Sequence, residues 1–181
     1  MPRLFVALPV PEEIADLLMP LQSGVPDARW VPQENFHVTL CFAGEVQGAT
    51  MRDLEEELSD IEGPPFSVSI AGVEQFSSGK QPRVLVASVE RSDRLDWLQQ
   101  KVSTVARNCG IEVERRKFRP HVTLARFASN AETGHHLAQF MASNGTFRAD
   151  PWIADRFALY SSRSGRNGAI YTEEVSYPLT F

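Results

Sequence analysis

This sequence predicts an α+β fold of two pseudo-symmetric lobes, with mostly antiparallel sheets meeting at a central cleft and helices on the outer faces. Three observations carry that expectation. A four-residue phrase occurs twice, as His37-Val38-Thr39-Leu40 and His121-Val122-Thr123-Leu124, with the histidines 121 − 37 = 84 positions apart. The order of strand and helix patterns around each phrase is the same. The links between neighbouring strand patterns are short, which favours antiparallel pairing. The 181 residues fit one domain, built from approximate repeats 1–82 and 83–181.

The elements follow in order. Residues 4–8 are an apolar run flanked by Arg3 and Pro9, a first strand. Pro11, Glu12 and Glu13 suit the first turn of a helix reaching about residue 21. Ile14, Leu17, Leu18 and Leu21 give it one apolar stripe. A polar link over 23–34 leads to the first phrase, and Gly44 ends that strand. A second helix spans about 50–61, with Leu54, Leu58 and Ile61 inward and Gly63-Pro64-Pro65 as its stop. Residues 66–76 alternate as a strand, 77–82 turn, and 84–89 form a strong strand. The order then repeats. Residues 84–89 correspond to 4–8. Ser92 caps a helix to about 108, with Leu95, Leu98, Val102 and Val105 inward and Gly110 beyond its end. The second phrase follows, then a helical stretch near 131–142, a strand over 152–160, a Ser/Gly-rich turn over 161–168 and a closing strand over 170–177. Pro65-Phe66 before Phe76-Ser77-Ser78 matches Pro151-Trp152 before Tyr160-Ser161-Ser162.

The phrase itself suits a strand, because β-branched and bulky apolar residues fit a pleated surface. Successive side chains alternate between faces, so His37 and Thr39 share one face while Val38 and Leu40 share the other. His121 and Thr123 are placed likewise. Each His/Thr pair spans about 7 Å along its strand, enough to bracket one phosphate. Core packing asks only for alternating apolar volume, not for the same His and Thr on the polar face twice.

Composition narrows the chemistry. At 43% hydrophobic and 23% charged the chain is an ordinary globular protein, and its net charge of −5 argues against gripping long nucleic acid, which needs a basic surface. A nucleic acid would be met at an end or as a short fragment. Cys41 and Cys109 make no disulfide framework and fit a reducing, cytoplasmic setting. The N-terminal apolar run is too short for a membrane span. Two histidines without clustered carboxylates make a poor site for a hard cation, and a catalytic zinc normally has three protein ligands. The expectation is therefore no metal and no cofactor. His135-His136 are neighbours on a helix and do not face one another. Two imidazoles across one substrate suit paired acid–base work, one neutral and one protonated near neutrality. The threonine hydroxyls suit stabilisation of charge on phosphate oxygens.

Asn35-Phe36-His37-Val38-Thr39-Leu40-Cys41-Phe42-Ala43-Gly44-Glu45-Val46 and Phe118-Arg119-Pro120-His121-Val122-Thr123-Leu124-Ala125-Arg126 carry paired H-x-T-x motifs. They resemble the two-histidine phosphoesterases, and among them the bacterial and archaeal RNA 2′,3′-cyclic phosphodiesterases, also described as 2′–5′ RNA ligases. Ala43 stands where a larger apolar residue is common in that family. The resemblance implies metal-independent hydrolysis of a 2′,3′-cyclic phosphate at an RNA 3′ end or on a short oligonucleotide, leaving a 2′-phosphate. Reversible 2′–5′ ligation would be a companion activity that the same resemblance implies. His37 would be the acid, His121 the base, and Thr39, Thr123 and Arg126 would hold phosphate. The near-symmetry of the motifs leaves the acid and base labels interchangeable on sequence. The same chemistry on 2′–5′ oligonucleotides or small cyclic nucleotides, and a non-catalytic RNA- or nucleotide-binding module, are the alternatives. A monomer suffices.

Arg126 lies five residues after His121, an odd offset that strict alternation puts on the core face. It reaches the site only if the strand bends, bulges or ends. Phe42 occupies the matching place after His37 and is a candidate to stack on a base. Lys117 and Arg119, in the basic run before His121, are candidates to steer an RNA end. Tyr160 and Ser162 in the closing segment complete the set of candidate substrate contacts.

Overall fold

The computed structural model describes residues 2–166 and 168–181. Strand β1 (Arg3–Pro9) is buried from Leu4 to Leu8, as expected of an apolar run covered on both faces. Helix α1 (Glu12–Leu18) follows and tightens into a 3-10 turn over Met19–Leu21. Its stripe differs from the one read off the sequence. Ile14, Ala15, Leu18 and Leu21 are buried, whereas Leu17 is 44% exposed. At about 100° per residue, Ala15 flanks Ile14 and Leu18 on one side and Leu17 on the other, so burying Ala15 turns Leu17 out.

The link before the first phrase holds a short strand the sequence did not signal, β2 (Arg29–Trp30), and a 3-10 turn over Gln33–Asn35. Strand β3 (His37–Glu45) carries the first phrase and helix α2 (Gly48–Leu58) follows. The run read as one strand over 66–76 is two, β4 (Phe66–Val68) and β5 (Ile70–Ser78). They belong to different sheets. Strand β6 (Gln81–Val89) pairs with β5 through a tight hairpin at Gly79 and Lys80, where Gly79 takes φ +61°. Helix α3 (Asp93–Asn108) is capped by the Ser92 hydroxyl, which accepts from the Leu95 N–H at 3.2 Å. Strand β7 (His121–Arg126) carries the second phrase, and helix α4 (Gly134–Asn144) follows. The 152–160 pattern again splits, into β8 (Trp152–Ala154) and β9 (Arg156–Gly165). The last strand is β10 (Gly168–Pro178). The Ser/Gly-rich stretch expected to turn over 161–168 is strand through Gly165. Ser161 and Ser162 pair with β1 on one side and β10 on the other, and two-sided pairing overrides weak local propensity.

Among the described residues the main sheet runs β10-β9-β1-β3-β7-β6-β5, with β2 added along β7, and β4 pairs with β8 separately. All its pairings are antiparallel. Its two halves meet at a single ladder pair, Val38↔Val122, the central valines of the two phrases. The C-terminal hairpin β9–β10 joins β1, while β5–β6 joins β7. One sheet face packs on the helices. Leu4, Leu8, Val38, Leu40, Leu85, Val122 and Leu124 lie in one cluster with Leu18, Leu54, Leu95, Leu98 and Leu137. Phe5, Ala7, Val86 and Ala158 are buried but stand outside that cluster. Ala7 pairs with Thr39 and Val86 with Thr123, so these residues form the floor of the opposite, polar face.

Candidate active site

Alternation does what the phrases predict. His37 and Thr39 are partly open, with Val38 and Leu40 buried behind them. His121 and Thr123 repeat the pattern against Val122 and Leu124. Antiparallel pairing through Val38↔Val122 sets His37 across from Thr123 and Thr39 across from His121. The four side chains lie on one sheet face about an approximate two-fold axis between the central valines.

Both histidines are oriented in the same way. His37 Nδ1 lies 2.7 Å from the Asn35 carbonyl oxygen, and His121 Nδ1 lies 2.7 Å from the Arg119 carbonyl oxygen. A carbonyl only accepts, so Nδ1 carries the proton in each ring and Nε2 is left for chemistry. In both cases the acceptor is two residues upstream. Asn35 is further tied down, since its buried amide donates to the Ala169 carbonyl of β10 at 2.9 Å.

A bulge falls at the last residue of each phrase. On β3, Thr39 pairs with Ala7 and Cys41 with Val6, skipping Leu40. On β7, Thr123 pairs with Val86 and Ala125 with Leu85, skipping Leu124. Each strand then has two consecutive buried residues followed by an exposed one, Phe42 or Arg126. The bulge reverses parity and returns both residues to the histidine face. Arg126 enters no ion pair among the described residues, and its charge acts on both imidazoles. Phe42 is 63% exposed.

The two sides differ in their walls. His37 sits among aromatic rings, with Phe5 at 4.8 Å and Tyr171 edge-on at 5.3 Å. Tyr160 stacks on Phe5 at 5.2 Å. A cavity of 540 Å³ opens there, lined by Glu12, Glu34, Arg156, Tyr160, Tyr171 and Glu173 among others. Arg156 is already paired with Glu173. His121 has Phe76 edge-on at 4.9 Å. The Arg119 guanidinium lies 4.2 Å over the Phe76 ring and reaches Glu74 at 3.5 Å. The cavity on this side, 450 Å³, is lined by Thr39, Phe42, Phe76, Gln99, Lys117 and Arg119 among others. One side is thus acidic and tyrosine-walled, the other basic and phenylalanine-walled. Ser162 lies further out on β9, paired with Arg3 and Tyr171, and lines neither cavity. Phe5, Phe76 and Tyr171 did not emerge from the sequence as site residues. For Phe76 the signal existed, because Phe76-Ser77-Ser78 parallels Tyr160-Ser161-Ser162.

The electrostatics hold both rings neutral. Burial lowers His37 from its usual 6.5 to about 4; the bond to the Asn35 carbonyl opposes this, and the charges of Arg126 and His121 add to it. Burial also lowers His121, with Arg126 and Arg119 adding and the Arg119 carbonyl and Glu74 opposing. The sequence suggested one neutral and one protonated ring near neutrality, whereas burial and the neighbouring arginines disfavour protonation of either. Tyr160, pushed up to about 12 mainly by burial, keeps its hydroxyl. No group of three or more His, Cys, Asp or Glu side chains is placed to hold a metal among the described residues.

This arrangement offers two unprotonated Nε2 atoms, two hydroxyls and one unpaired guanidinium on a single face. The family model of LigT-like phosphoesterases matches residues 8–86 and again residues 87–171. An RNA 2′,3′-cyclic phosphodiesterase of Thermotoga maritima is 31% identical over 185 residues, covering 99% of this chain and 95% of its own length. One from Escherichia coli K12 is 30% identical over 190 residues, covering 98% and 97%. The crystal structure of E. coli LigT complexed with 3′-AMP superposes with a TM-score of 0.82 at 27% identity and full coverage of both chains.

Proposed function

The chain belongs to the LigT-like phosphoesterase family, and on that premise we propose that it is an RNA 2′,3′-cyclic phosphodiesterase, opening the cyclic phosphate to a 2′-phosphate by two-histidine acid–base catalysis. The observation that carries the mechanism is the matched pair of Nδ1 bonds to the Asn35 and Arg119 carbonyls. They fix both tautomers and leave both Nε2 atoms available on the threonine face.

The steps follow from that placement. The cyclic phosphate lies between the histidines, its non-bridging oxygens accepting from Thr39 and Thr123 and facing Arg126. Water attacks phosphorus, and His121 Nε2 takes its proton. The P–O3′ bond breaks opposite the attack, and His37 Nε2 gives a proton to O3′. The acid must be charged before this step, which burial and the charge of Arg126 disfavour. The phosphate anion resolves the conflict, because a negative charge beside the rings offsets Arg126 and favours the imidazolium form. A 5′-hydroxyl in place of water makes the corresponding 2′–5′ linkage. Lys117 and Arg119 on the basic side attract the RNA end, Phe42 and Phe76 offer faces to a base, and Tyr160 and Tyr171 wall the other side. Both walls come from one chain, so a monomer suffices. The free thiols Cys41 and Cys109 fit a reducing cytoplasm, and among the described residues no helix is long and apolar enough to cross a membrane.

The test uses RNA ending in a 2′,3′-cyclic phosphate with excess chelator. Turnover to a 2′-phosphate continues in chelator. His37→Ala and His121→Ala each lose about 10²–10⁴-fold, and Thr39→Val or Thr123→Val about 10²-fold. Dependence on added metal, or full activity in either alanine variant, overturns the mechanism. A 3′-phosphate product means that O2′ rather than O3′ leaves and overturns the leaving-group assignment.

A further inference from the structure

We infer that Gln22 and Gln99 are positioning residues that clamp the two bulges, and that the clamps serve different parts of the substrate: Gln22 holds Arg126 toward the phosphate and Gln99 holds Phe42 toward the nucleoside. The inference builds on the phosphate placement proposed above.

A bulged residue leaves the ladder, and its backbone groups need other partners. For Leu124, the carbonyl accepts from the Gln22 side-chain amide at 3.1 Å and from the Val31 N–H at 2.9 Å. For Leu40, the carbonyl accepts from the Gln99 side-chain amide at 3.4 Å. An amide group has two donor hydrogens, and each glutamine uses the second on a local anchor. Gln22 donates to the Val31 carbonyl at 2.8 Å, and Gln99 to the Ser103 hydroxyl at 3.0 Å. Ser103 is itself 2% exposed. The donors are remote in sequence, 102 and 59 positions from the carbonyls they hold.

Each glutamine therefore fixes the backbone two residues before the residue whose face the bulge decides, Arg126 or Phe42. If the bulge relaxes toward regular pairing, alternation returns that residue toward the core face. The device is the same in both halves and its cargo is not. The Arg126 charge acts on both histidines, so loosening the Leu124 bulge registers at both rings. Phe42 is uncharged, so loosening the Leu40 bulge registers only on a ligand with something to stack.

Gln22→Met and Gln99→Met keep side-chain length and remove the donors. The probes are inorganic phosphate and 2′-AMP, with binding followed by NMR and the two imidazole titrations read in the same spectra. Gln22→Met weakens both ligands about tenfold and moves the His37 and His121 titrations upward. In an Arg126→Met background it has no further effect on either. Gln99→Met weakens 2′-AMP alone and leaves phosphate binding and both titrations at wild type. Should a methionine variant fail to fold, Gln22→Asn and Gln99→Asn, one methylene short of the carbonyl, carry the same readouts. Unchanged titrations and phosphate binding without the Gln22 clamp overturn the inference, as does Gln99→Met shifting the titrations as Gln22→Met does. None of these readouts requires turnover, so a protein inactive on cyclic phosphates fails the preceding test and not this one.

Discussion

His37 is the residue whose environment departs furthest from what its motif announces. The motif places it on an open strand face, but Phe5, Tyr171 and the Phe5-stacked Tyr160 enclose the ring, and burial takes its pKa to about 4. Strand parity was enough to put His37, Thr39, His121 and Thr123 on one sheet face. It was not enough to find Phe5 and Tyr171, which reach the His37 ring from strands distant in sequence, although Tyr160 was already among the candidates. The depressed pKa has a consequence for stability. Between pH 6.5 and 4 the unfolded chain binds a proton at this position and the folded chain does not, so stability rises with pH there. The His37 contribution is complete above 6.5 and is lost as pH falls toward 4. Urea midpoints measured from pH 7 to 4 will therefore decline, and His37→Asn will decline less over the same window. The ring itself should titrate near 4 by NMR and move up when phosphate is added. A free-state titration near 6.5, or equal slopes for the two proteins, contradicts the burial account.

At the scale of elements, the sequence marked where strands and helices lie but not how strands bend. The fifth residue after each histidine has the wrong parity for the site, which pointed to a bend, bulge or end after the second phrase. The bulge at Leu124 and its twin at Leu40 supply it twice, with carbonyl partners 102 and 59 residues away that no local pattern reveals. The splits at Ser69 and Asp155 were hidden for a similar reason, since among the described residues β4 and β8 pair only with each other and their alternation runs on into the next strand. Helix α3 shows the opposite case, fully legible because its cap is local. Ser92→Ala removes the acceptor for the Leu95 N–H and should cost about 1 kcal/mol, seen as a lower urea midpoint. Ser92 stands seven residues, about two helical turns, before Gln99, the α3 residue that lines the His121 cavity, so kcat/KM at 25 °C stays at wild type. A large loss of activity without a loss of stability would mean that the α3 terminus bears on the site directly.

For the molecule as a whole, the two strand groups that flank the central pair exchange partners, with β9–β10 completing β1 and β5–β6 completing β7. The cleft therefore lies mid-sheet, with paired strands on both sides, on a chain whose net charge is −5. Cations cluster on one side of it. Lys117 and Arg119 line the His121 cavity, while the His37 cavity carries Glu12, Glu34 and Glu173 and an arginine already paired. Such a surface can hold one terminal phosphate and attract what precedes it over a short distance, but it offers no basic track for a longer strand. Each phosphate neutralised on a single strand contributes about −0.7 to the slope of log affinity against log salt. With Arg126 and one rim cation engaged, the slope of log kcat/KM against log salt should be about −1 to −2. It should be the same for a cyclic-phosphate dinucleotide and a 20-nucleotide RNA. Lys117→Ala should make it shallower while leaving kcat unchanged, because this side chain meets the RNA before the chemistry and not during it. A slope that steepens with RNA length would require a backbone-binding track, and recognition would then extend beyond the RNA end.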